Sequence, residues 1–564
     1  MGVPHFFNQL LKSYKKDGFV FKKEKIDNKD IKDIIDSIDY FLLDANSFIH
    51  PVCFKVVADN PDVQNNDRLE DKMMVAIIEY LEKLIEYVDP KKGIFLAIDG
   101  VAPVAKIKQQ RSRRFKSVAD RMMMDSIKRK HKKPTSFFWN NSAITPGTVF
   151  MEKLDKHIQA WVKRQKLHVI YSSCFEPGEG EHKLLDFIRE NTQKGNKYSY
   201  VIYGLDADLI FLALSTQLEN IFLLRESTEM NSKEEKGLLS YVSISVMRSC
   251  IISTMKKAIY EKSNGINMEL NEEALISDYI FMCYFLGNDF LPHIPSLEIQ
   301  NDGITHLIEK YAETLYEILL ERNKVESLLG KNHSVSQDFF ARFINKLAIQ
   351  EIKTLKLKYT EKKYRVKCDG DEYEKEVCRI ENLQFKVEDP IELGSDDYEK
   401  YRFRYYNHYW NVEEDELEDF AEKLVHHYLL GLKWVTQYYF EGCPSWSWYL
   451  PFDHPPFIND INKFMQSNMH SNQSNQFDQM QFNKGKPIKP LMQLLAVLPP
   501  QSSNLLPSHL SKLMTNPKSS LAFLYPVKFE QDFVNKRKYW MAIPNLPPLD
   551  MDLLKHYFEK YNNS

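Results

Sequence analysis

The sequence predicts an α/β fold: a mixed, largely parallel central sheet flanked by helices, with a second, mainly helical region packed against it. Residues 1–310 alternate short apolar runs with helical stretches, which is the pattern of a sheet built from strands and crossover helices. Polar or acidic residues follow each run closely, so they lie at the carboxyl ends of strands, where open α/β sheets form their sites. Beyond residue 410, a long amphipathic stretch and an aromatic block replace the strand-like runs, which indicates the helical region.

Four apolar runs are the candidate strands of the first region. They are short and bounded by polar sequence, as buried strands are. The runs lie at 40–43, 94–98, 168–172 and 200–203.

The chain divides into three parts. We predict an α/β region over 1–350 that carries the site, and a connecting segment over 351–410, where charged, Tyr-rich sequence shows no clear period. A second region over 411–564 should begin with a helix over 417–440. The Asn-, Gln- and Ser-rich sequence within 466–488 is predicted to be a disordered loop.

Composition narrows the class of protein. With 564 residues, 43% hydrophobic and 27% charged, the chain is an ordinary soluble protein with more than one core. No apolar run approaches a membrane span and no signal peptide is evident, which argues against a membrane partner and against secretion. The seven cysteines are scattered without CxxC spacing, so we expect reduced thiols, no structural zinc and a cytoplasmic location, with a nuclear one as the alternative.

Seven acidic side chains from separate segments are the candidate site residues. Two segments carry acids at i and i+2, a pattern that chance also supplies in a chain with 78 acidic residues. One of these pairs holds the only charges in the apolar run 201–214, and buried carboxylates without partners are costly or become protonated. The seven are Asp44, Asp99, Glu179, Glu181, Asp206, Asp208 and Asp289.

Divalent metal binding explains such a cluster. Hard Mg²⁺ takes oxygen ligands, and two ions about 4 Å apart can flank a phosphate, activating water and stabilising the leaving oxygen. The predicted chemistry is therefore phosphodiester hydrolysis, with the seven acids as metal ligands and catalytic groups. Helix capping is the simpler reading of Glu179, Glu181 and Asp208, and both roles are compatible.

A basic helix face begins seven residues after Asp99. Lys106, Gln110, Arg113 and Arg114 fall at i, i+4, i+7 and i+8 of a predicted helix with a proline near its start, so they share one face. The face suits a terminal phosphate, although basic helices more often simply cover a surface. The run 128–133 is predicted to be an exposed loop with non-specific attraction for RNA. Since the formal net charge is only −3, any nucleic-acid affinity must come from local patches such as these.

Three aromatic side chains are candidates for stacking on bases. His50 lies six residues after Asp44, and Trp446 and Trp448 lie in the aromatic block of the second region. Proteins that bind single strands stack bases on such rings. Each ring is equally compatible with a place in the core.

Taken together, these motifs resemble the XRN family of 5′→3′ exoribonucleases. The first region contributes the N-terminal residues 1–7, then LDANSFIH, AIDGVAP, QQRSRRF, TPGTVFM, PGEGEHK, YGLDADLI and GNDFLPH in chain order between 43 and 293. The second contributes WVTQYY, PSWSWY, LAVLPP and YPVKF between 434 and 529. The resemblance covers nearly the whole chain, and it implies a PIN-like, 5′-nuclease-like fold for the α/β region with a second, mainly helical region packed against it.

The resemblance also assigns roles to the candidate residues. It implies that the seven acids bind two Mg²⁺ ions, with Mn²⁺ as a substitute, and that the basic face from Lys106 holds a 5′-monophosphate. It implies that His50 and either Trp446 or Trp448 bracket the terminal base. Ser47 stands where the family usually has glycine, and Pro51 is a second departure, so the shape of the base pocket stays open.

The implied activity is processive hydrolysis of 5′-monophosphorylated single-stranded RNA to nucleoside 5′-monophosphates, by a monomer, in turnover of decapped RNA. A link to the decapping machinery is compatible with this activity but does not follow from the residues. Two alternatives remain: a structure-specific 5′-nuclease on DNA or flap substrates, and an RNA-binding scaffold without nuclease activity. The complete acidic set favours an enzyme over a scaffold.

Overall fold

The structure, a computed structural model, describes residues 6–562 except 15, 17, 27–28, 64, 136–138, 227–237, 361–365 and 470–475. The motif at 1–4 lies outside the described residues.

A seven-stranded sheet organises the first region. Its strands are β1 (Val20–Phe21), β2 (Tyr40–Asp44), β3 (Gly93–Ala97), β4 (His168–Ser172), β5 (Tyr200–Tyr203), β6 (Ile221–Glu226) and β7 (Leu239–Ser243). They are ordered β1-β7-β6-β5-β2-β3-β4. The five strands from β6 to β4 are parallel to one another, and β7 and β1 add an antiparallel edge. All four predicted strands are present, and the predicted mixed, largely parallel sheet is confirmed.

Both faces of the sheet are covered. Along β2, Phe41 and Leu43 enter one hydrophobic core while Leu42 enters the other, because successive strand residues point to opposite faces. Parallel strands buried on both faces read as continuous apolar runs, which is why these strands could be found in the sequence.

Helices surround the sheet. Those of the first region are α1 (Phe6–Tyr14), α2 (Lys29–Ile35), α3 (Asn46–Asp59), α4 (Asn66–Val88), α5 (Val104–Lys130), α6 (Val149–Val162), α7 (Gly180–Gln193), α8 (Asp208–Ser215), α9 (Ile244–Lys262), α10 (Glu272–Cys283), α11 (Gly303–Arg322) and α12 (Gln337–Thr360).

Those that follow are α13 (Glu372–Glu381), α14 (Tyr398–Trp410), α15 (Leu417–Phe440), α16 (Ile458–Met469), α17 (Gln476–Gln479), α18 (Pro490–Val497), α19 (Ser508–Thr515) and α20 (Met551–Asn562), with a small hairpin of β8 (Gln531–Asp532) and β9 (Ile543–Pro544). None of the described helices is long and apolar enough to span a membrane.

The long helix α15 joins the two regions. It begins and ends where the sequence predicted a helix over 417–440. Tyr428 and Trp434 on this helix are buried in the same hydrophobic core as Leu42 of the sheet and Phe340 of α12. One core therefore crosses the predicted boundary near residue 350, and the division of the chain at 350 and 410 stays a prediction.

The segment 351–410, which the sequence predicted as a connecting segment without a clear period, is mostly helical. It holds the end of α12, all of α13 and all of α14. Tyr401, Tyr405 and Tyr406 are buried in a small hydrophobic core, so the tyrosines that obscured the period of the sequence are core residues.

Three further expectations differ from the structure. Residues 128–130 form the last turn of α5 instead of an exposed loop, and Lys130 and Lys133 pair with Glu376 and Asp371 at 2.8 and 2.7 Å. Cys368 and Cys378 form a disulfide, so the expectation of reduced thiols is wrong for this pair.

The predicted disordered loop over 466–488 is also wrong in part. Phe477 and Met480 are buried, and Lys433 donates to the carbonyl oxygens of both. The sequence between α16 and α17, residues 470–475, lies outside the described residues.

Candidate active site

The acidic candidates gather at the carboxyl edge of the sheet. Asp44 ends β2 and Asp99 follows β3, while Asp206 lies between β5 and α8 and Asp208 is the first residue of α8. Since β3, β2 and β5 are adjacent and parallel, their carboxyl ends lie side by side. Glu179 and Glu181 flank the first residue of α7, and Asp289 follows a short turn after α10.

Asp44 and Asp99 lie together against the start of α7. The backbone N–H of Gly180 donates to Asp99 Oδ1 at 2.6 Å, and the Asn46 side chain donates to Asp99 Oδ2 at 2.9 Å. A Cβ on Gly180 would lie 2.8 Å from Asp44 Oδ1 and 3.3 Å from Asp99 Oδ1. Ser47 donates to Asp44 Oδ2 at 2.6 Å, so the departure from glycine at Ser47 adds a donor beside an acid.

A lysine from α5 lies between two other acids. Lys106 Nζ is 2.5 Å from Glu179 Oε2 and 2.8 Å from Asp289 Oδ2. The hydroxyl of Tyr438, on α15, donates to Glu179 Oε1 at 2.6 Å. Glu179 is therefore bonded through both oxygens, to a residue from each region of the chain.

Burial and mutual repulsion perturb the pKa values of these acids. Burial, and then the neighbouring Asp99 carboxylate, raises the pKa of Asp44 well above its usual value. Burial raises the pKa of Glu181 strongly against the opposing effect of Lys106, and Glu179 adds to the rise. Burial and Asp289 raise the pKa of Asp208 to about 7. These effects place the acids within electrostatic range of one another.

The chemistry of the donors fits a hard divalent cation. Asp44 Oδ1 and Asp208 Oδ1 are buried without a hydrogen-bond partner, and a cation would both satisfy them and relieve the repulsion. Over the described part of the chain, however, no three His, Cys, Asp or Glu side chains are already arranged to hold a metal ion. Asp206 is exposed, and the Lys106 ammonium bridges Glu179 and Asp289. Metal binding therefore requires local side-chain movement.

The predicted phosphate-binding residues line one side of α5 in different surroundings. Gln110 is buried and accepts from the Gln493 side chain at 3.3 Å, and Arg113 is exposed. Arg114 Nη1 is buried without a partner, and burial, followed by repulsion from Arg113, lowers the pKa of Arg114 to about 9. Both arginines can thus accept a new anionic partner, whereas Lys106 is held by the acids.

His50 lies beside this basic face. Burial and the nearby Arg113 and Arg114 lower its pKa to about 4. Its ring also lies 6.5 Å from that of Phe54. At neutral pH His50 is therefore an uncharged aromatic ring near the arginines.

The two predicted tryptophans differ in availability. Trp448 is stacked on Trp434 with ring centroids 5.2 Å apart, so part of its surface belongs to the core. Trp446 is half-buried, and its backbone carbonyl accepts from Val104 at the start of α5. The stacking role of either residue stays a prediction.

A cavity of about 610 Å³ borders one of the acids, and it includes an aromatic residue that the sequence reasoning missed. It is lined by Asp289, Arg113 and Trp540, among others. Trp540 is 44% exposed. The surrounding sequence KRKYWMAIP offered one signal, two aromatic residues that follow a basic run.

Comparison with known proteins shows the family of the chain. Residues 1–227 match the family described as XRN 5′-3′ exonuclease N-terminus, and residues 269–387 and 351–564 match the Xrn1 helical domain. The 5′-3′ exoribonuclease 1 of Homo sapiens is 31% identical over 100% of this chain, which spans 34% of that protein. The 5′-3′ exoribonuclease 2 homolog of Drosophila melanogaster is 28% identical over 98% of this chain, which spans 70% of that protein. The 5′-3′ exoribonuclease 2 of Gallus gallus is 28% identical, with 99% of this chain and 70% of that protein covered.

A parallel sheet with clustered acids at its carboxyl edge, together with these relatives, defines the class of protein as a nuclease that hydrolyses phosphodiester bonds. The chain belongs to the XRN family of 5′-3′ exonucleases, whose two conserved parts cover both of its regions.

Proposed function

We propose that this protein is a processive 5′→3′ exoribonuclease that hydrolyses 5′-monophosphorylated single-stranded RNA to nucleoside 5′-monophosphates with two Mg²⁺ ions. The observation that carries the proposal is the cluster of buried acids next to the basic face of α5. Acids alone would support many metal enzymes, but acids beside two arginines able to accept an anion support one that holds a phosphate close to the bond it cleaves.

The acids would hold the ions, and the rest of the site would position the RNA. Asp44, Asp99, Glu179, Glu181, Asp206, Asp208 and Asp289 supply the oxygen donors. The bound ions would supply an activated water and stabilise the leaving oxygen. Gly180 and Asn46 orient Asp99 through their hydrogen bonds, so the acid is held before substrate arrives.

Arg113 and Arg114 would bind the 5′-phosphate through forked N–H donors. Gln110 would contribute its amide, and Lys106 would join them once a divalent cation replaces its contacts with Glu179 and Asp289. A 5′ cap, or a further nucleotide attached to the 5′ phosphate, would have to fit past these side chains. Such a pocket would select RNA that has already lost its cap, which supports a role in turnover of decapped RNA. We propose that the enzyme acts as a monomer in the cytoplasm, with the nucleus as the alternative.

Terminal bases would stack on His50 and on a tryptophan. The uncharged ring of His50 suits this role because it lies beside the phosphate-binding arginines. Trp448 already packs on Trp434. Trp540 lines the same cavity as Asp289 and Arg113, so it is a further candidate beside Trp446.

The deciding experiment compares RNAs with a 5′-monophosphate, a 5′-hydroxyl or a cap, each labelled at the 5′ or the 3′ end, in Mg²⁺. We expect rapid cleavage of the monophosphorylated RNA alone. The 5′ label should appear in mononucleotides from the start of the reaction. The 3′ label should stay in long RNA until a chain has been degraded completely. Asp208→Ala should abolish cleavage while leaving RNA binding largely intact. Equal degradation of all three RNAs would contradict the phosphate pocket.

A structure-specific nuclease on DNA or flap substrates is the second candidate, since it would share the sheet and the acids. The same assay with matched DNA and flap substrates separates the two. An RNA-binding scaffold would show binding without cleavage in every condition.

A further inference from the structure

Tyr438 connects the helical region to the acidic site. It lies on α15, is 2% exposed, and its hydroxyl donates to Glu179 Oε1 at 2.6 Å. The other oxygen of Glu179 accepts from Lys106 at 2.5 Å. Because each oxygen of Glu179 has a partner, its carboxylate cannot rotate freely. A bound cation would repel the charged Lys106, whereas Tyr438 is uncharged and would not be repelled.

The ring of Tyr438 is wedged between two acid-bearing segments. It stacks on His182, three residues after Glu179, with centroids 3.7 Å apart and planes at 25°. It meets Phe290, the neighbour of Asp289, edge-on at 5.4 Å, and it packs on Trp434 of its own helix at 4.6 Å. These contacts fix the position of the hydroxyl because aromatic packing restricts both side-chain torsions.

His182 is buried together with Tyr438. Both nitrogens of His182 are buried without hydrogen-bond partners, so this ring is held by packing, and Tyr438 supplies one of its stacking partners.

We infer that Tyr438 is a positioning residue of the nuclease site, which orients the Glu179 carboxylate for divalent cations and so makes α15 of the helical region part of the metal-binding machinery. The inference rests on the proposed function of Glu179 as a metal ligand. Partners that orient ligands from behind are worth about 10–100-fold in metal affinity or activity in other metal sites.

The test removes one oxygen atom from each of two tyrosines on α15. Tyr438→Phe deletes the hydroxyl that contacts Glu179 and keeps the ring. Tyr428→Phe is the matched control, because Tyr428 is on the same helix, is fully buried, and its hydroxyl donates to the backbone carbonyl of Pro292 instead of to an acid. Binding of Mn²⁺ is measured by calorimetry without RNA, and kcat and KM are measured separately on monophosphorylated RNA.

We expect Tyr438→Phe to weaken Mn²⁺ binding by about tenfold and to lower kcat with little change in KM, while Tyr428→Phe keeps the Mn²⁺ affinity of the wild type. Replacement of Tyr438 by para-aminophenylalanine, which restores a donor, should recover affinity. Equal Mn²⁺ affinity in the two phenylalanine variants would overturn the inference.

A double-mutant cycle covers the case in which Tyr438→Phe loses stability. If Tyr438 acts through Glu179, adding Tyr438→Phe to Glu179→Gln causes no further loss of Mn²⁺ affinity. A full additional loss would show a role in packing alone and would also overturn the inference. Failure of the proposed function is distinct, because the wild type would then lack Mg²⁺-dependent cleavage.

Discussion

At the scale of single residues, the absence of a side chain at Gly180 lets two acids approach the same helix start. Asp44 and Asp99 come from different strands, and the space that a Cβ on Gly180 would take is within 2.8 and 3.3 Å of their oxygens. The amide of Gly180 also donates to Asp99. The second glycine of PGEGEHK, Gly180, is therefore required because it packs closely against carboxylates.

Gly180→Ala should push these acids apart. We expect a loss of about 100-fold in kcat, since a displacement of about 1 Å at a reacting centre costs this much, with a melting temperature close to that of the wild type. Single-turnover kinetics on monophosphorylated RNA measure the effect. Gly330→Ala, far from the acids along the chain, serves as the control, and unchanged kinetics for Gly180→Ala would contradict the packing argument.

His50 should titrate near pH 4 in the folded protein. Burial and the adjacent arginines disfavour its protonated form, whereas the unfolded chain takes up this proton near pH 6.5. Between these values the unfolded state binds more protons, so the free energy of unfolding falls as the pH is lowered from 6.5 to 4. Histidine-labelled NMR spectra, assigned with His50→Gln, give the midpoint directly. His50→Gln should remove part of the acid destabilisation, and a midpoint near 6.5 would contradict the prediction.

At the scale of elements, the two sides of α5 have different surroundings. Arg113 is exposed towards the cavity, whereas Arg111 is buried and donates to the carbonyl oxygens of Ala496 and Leu524. Arg111 and Arg113 of one motif therefore have different surroundings, because side chains two positions apart on a helix point to nearly opposite sides. The helix therefore carries the proposed phosphate-binding residues on one side and contacts the second region on the other.

Substitution of each arginine should separate these tasks. Arg113→Ala should reduce the preference for a 5′-monophosphate over a 5′-hydroxyl by about 10–100-fold, the usual value of a charge-assisted hydrogen bond, at unchanged melting temperature. Arg111→Ala should lower the melting temperature. Competition assays and thermal unfolding measure both, and Arg129→Ala at the far end of α5 is the control. Loss of stability in Arg113→Ala would place it in the packing instead.

Glu351 shows how the segment predicted to be a connector stabilises the fold. Its carboxylate lies 1% exposed on α12 and accepts from the backbone N–H groups of Ile458 and Asn459 at the start of α16. Ser296 donates to the same carboxylate at 3.1 Å. Helix starts carry unpaired N–H groups, so Glu351 acts as the cap of a helix over one hundred residues away.

Glu351→Ala should lower the free energy of unfolding by at least about 2 kcal/mol, because it leaves buried donors unpaired. Chemical denaturation measures the loss. Glu351→Gln keeps an acceptor and should cost less, and two equal losses would argue against the capping role.

At the scale of the whole molecule, the fold holds carboxylates that repel one another close together in the acidic site. The pKa values of Asp44, Glu181 and Asp208 are raised by burial and by neighbouring carboxylates. A divalent cation bound only by the folded state would stabilise it by about 2.7 kcal/mol at one hundred times its Kd. The helical region shares this site through Tyr438 and shares the main core through α15, so the two regions should unfold together.

Addition of Mg²⁺ should therefore raise the melting temperature above that in EDTA, in a single transition. Differential scanning calorimetry across a Mg²⁺ titration measures the shift. Asp208→Ala should show a smaller shift at the same concentrations, and an equal shift in wild type and variant would place the stabilising ions elsewhere.

Much of the site could be predicted from the sequence because its groups stand in local patterns. Asp44, Asp99 and Asp208 sit at strand ends or helix starts, and the strands are continuous apolar runs with an unmistakable buried character. The bounds of α15 followed from its apolar stripe. Helix α14 could not be found in the same way, because its buried face consists of three tyrosines and an arginine, residues that composition marks as polar or interfacial.

The sequence by itself determined the parallel sheet, the acids at its edge, the basic face of α5 and the family to which the chain belongs, since each depends on residues close together in the chain. Only the tertiary structure decided that Lys106 bridges Glu179 and Asp289, that Tyr438 donates to the other oxygen of Glu179, and that Trp540 lines the same cavity as Asp289. The residues in these pairs are 73 to 259 positions apart in the chain. No local period records such distances, because they arise only when helices from both regions pack on the same core.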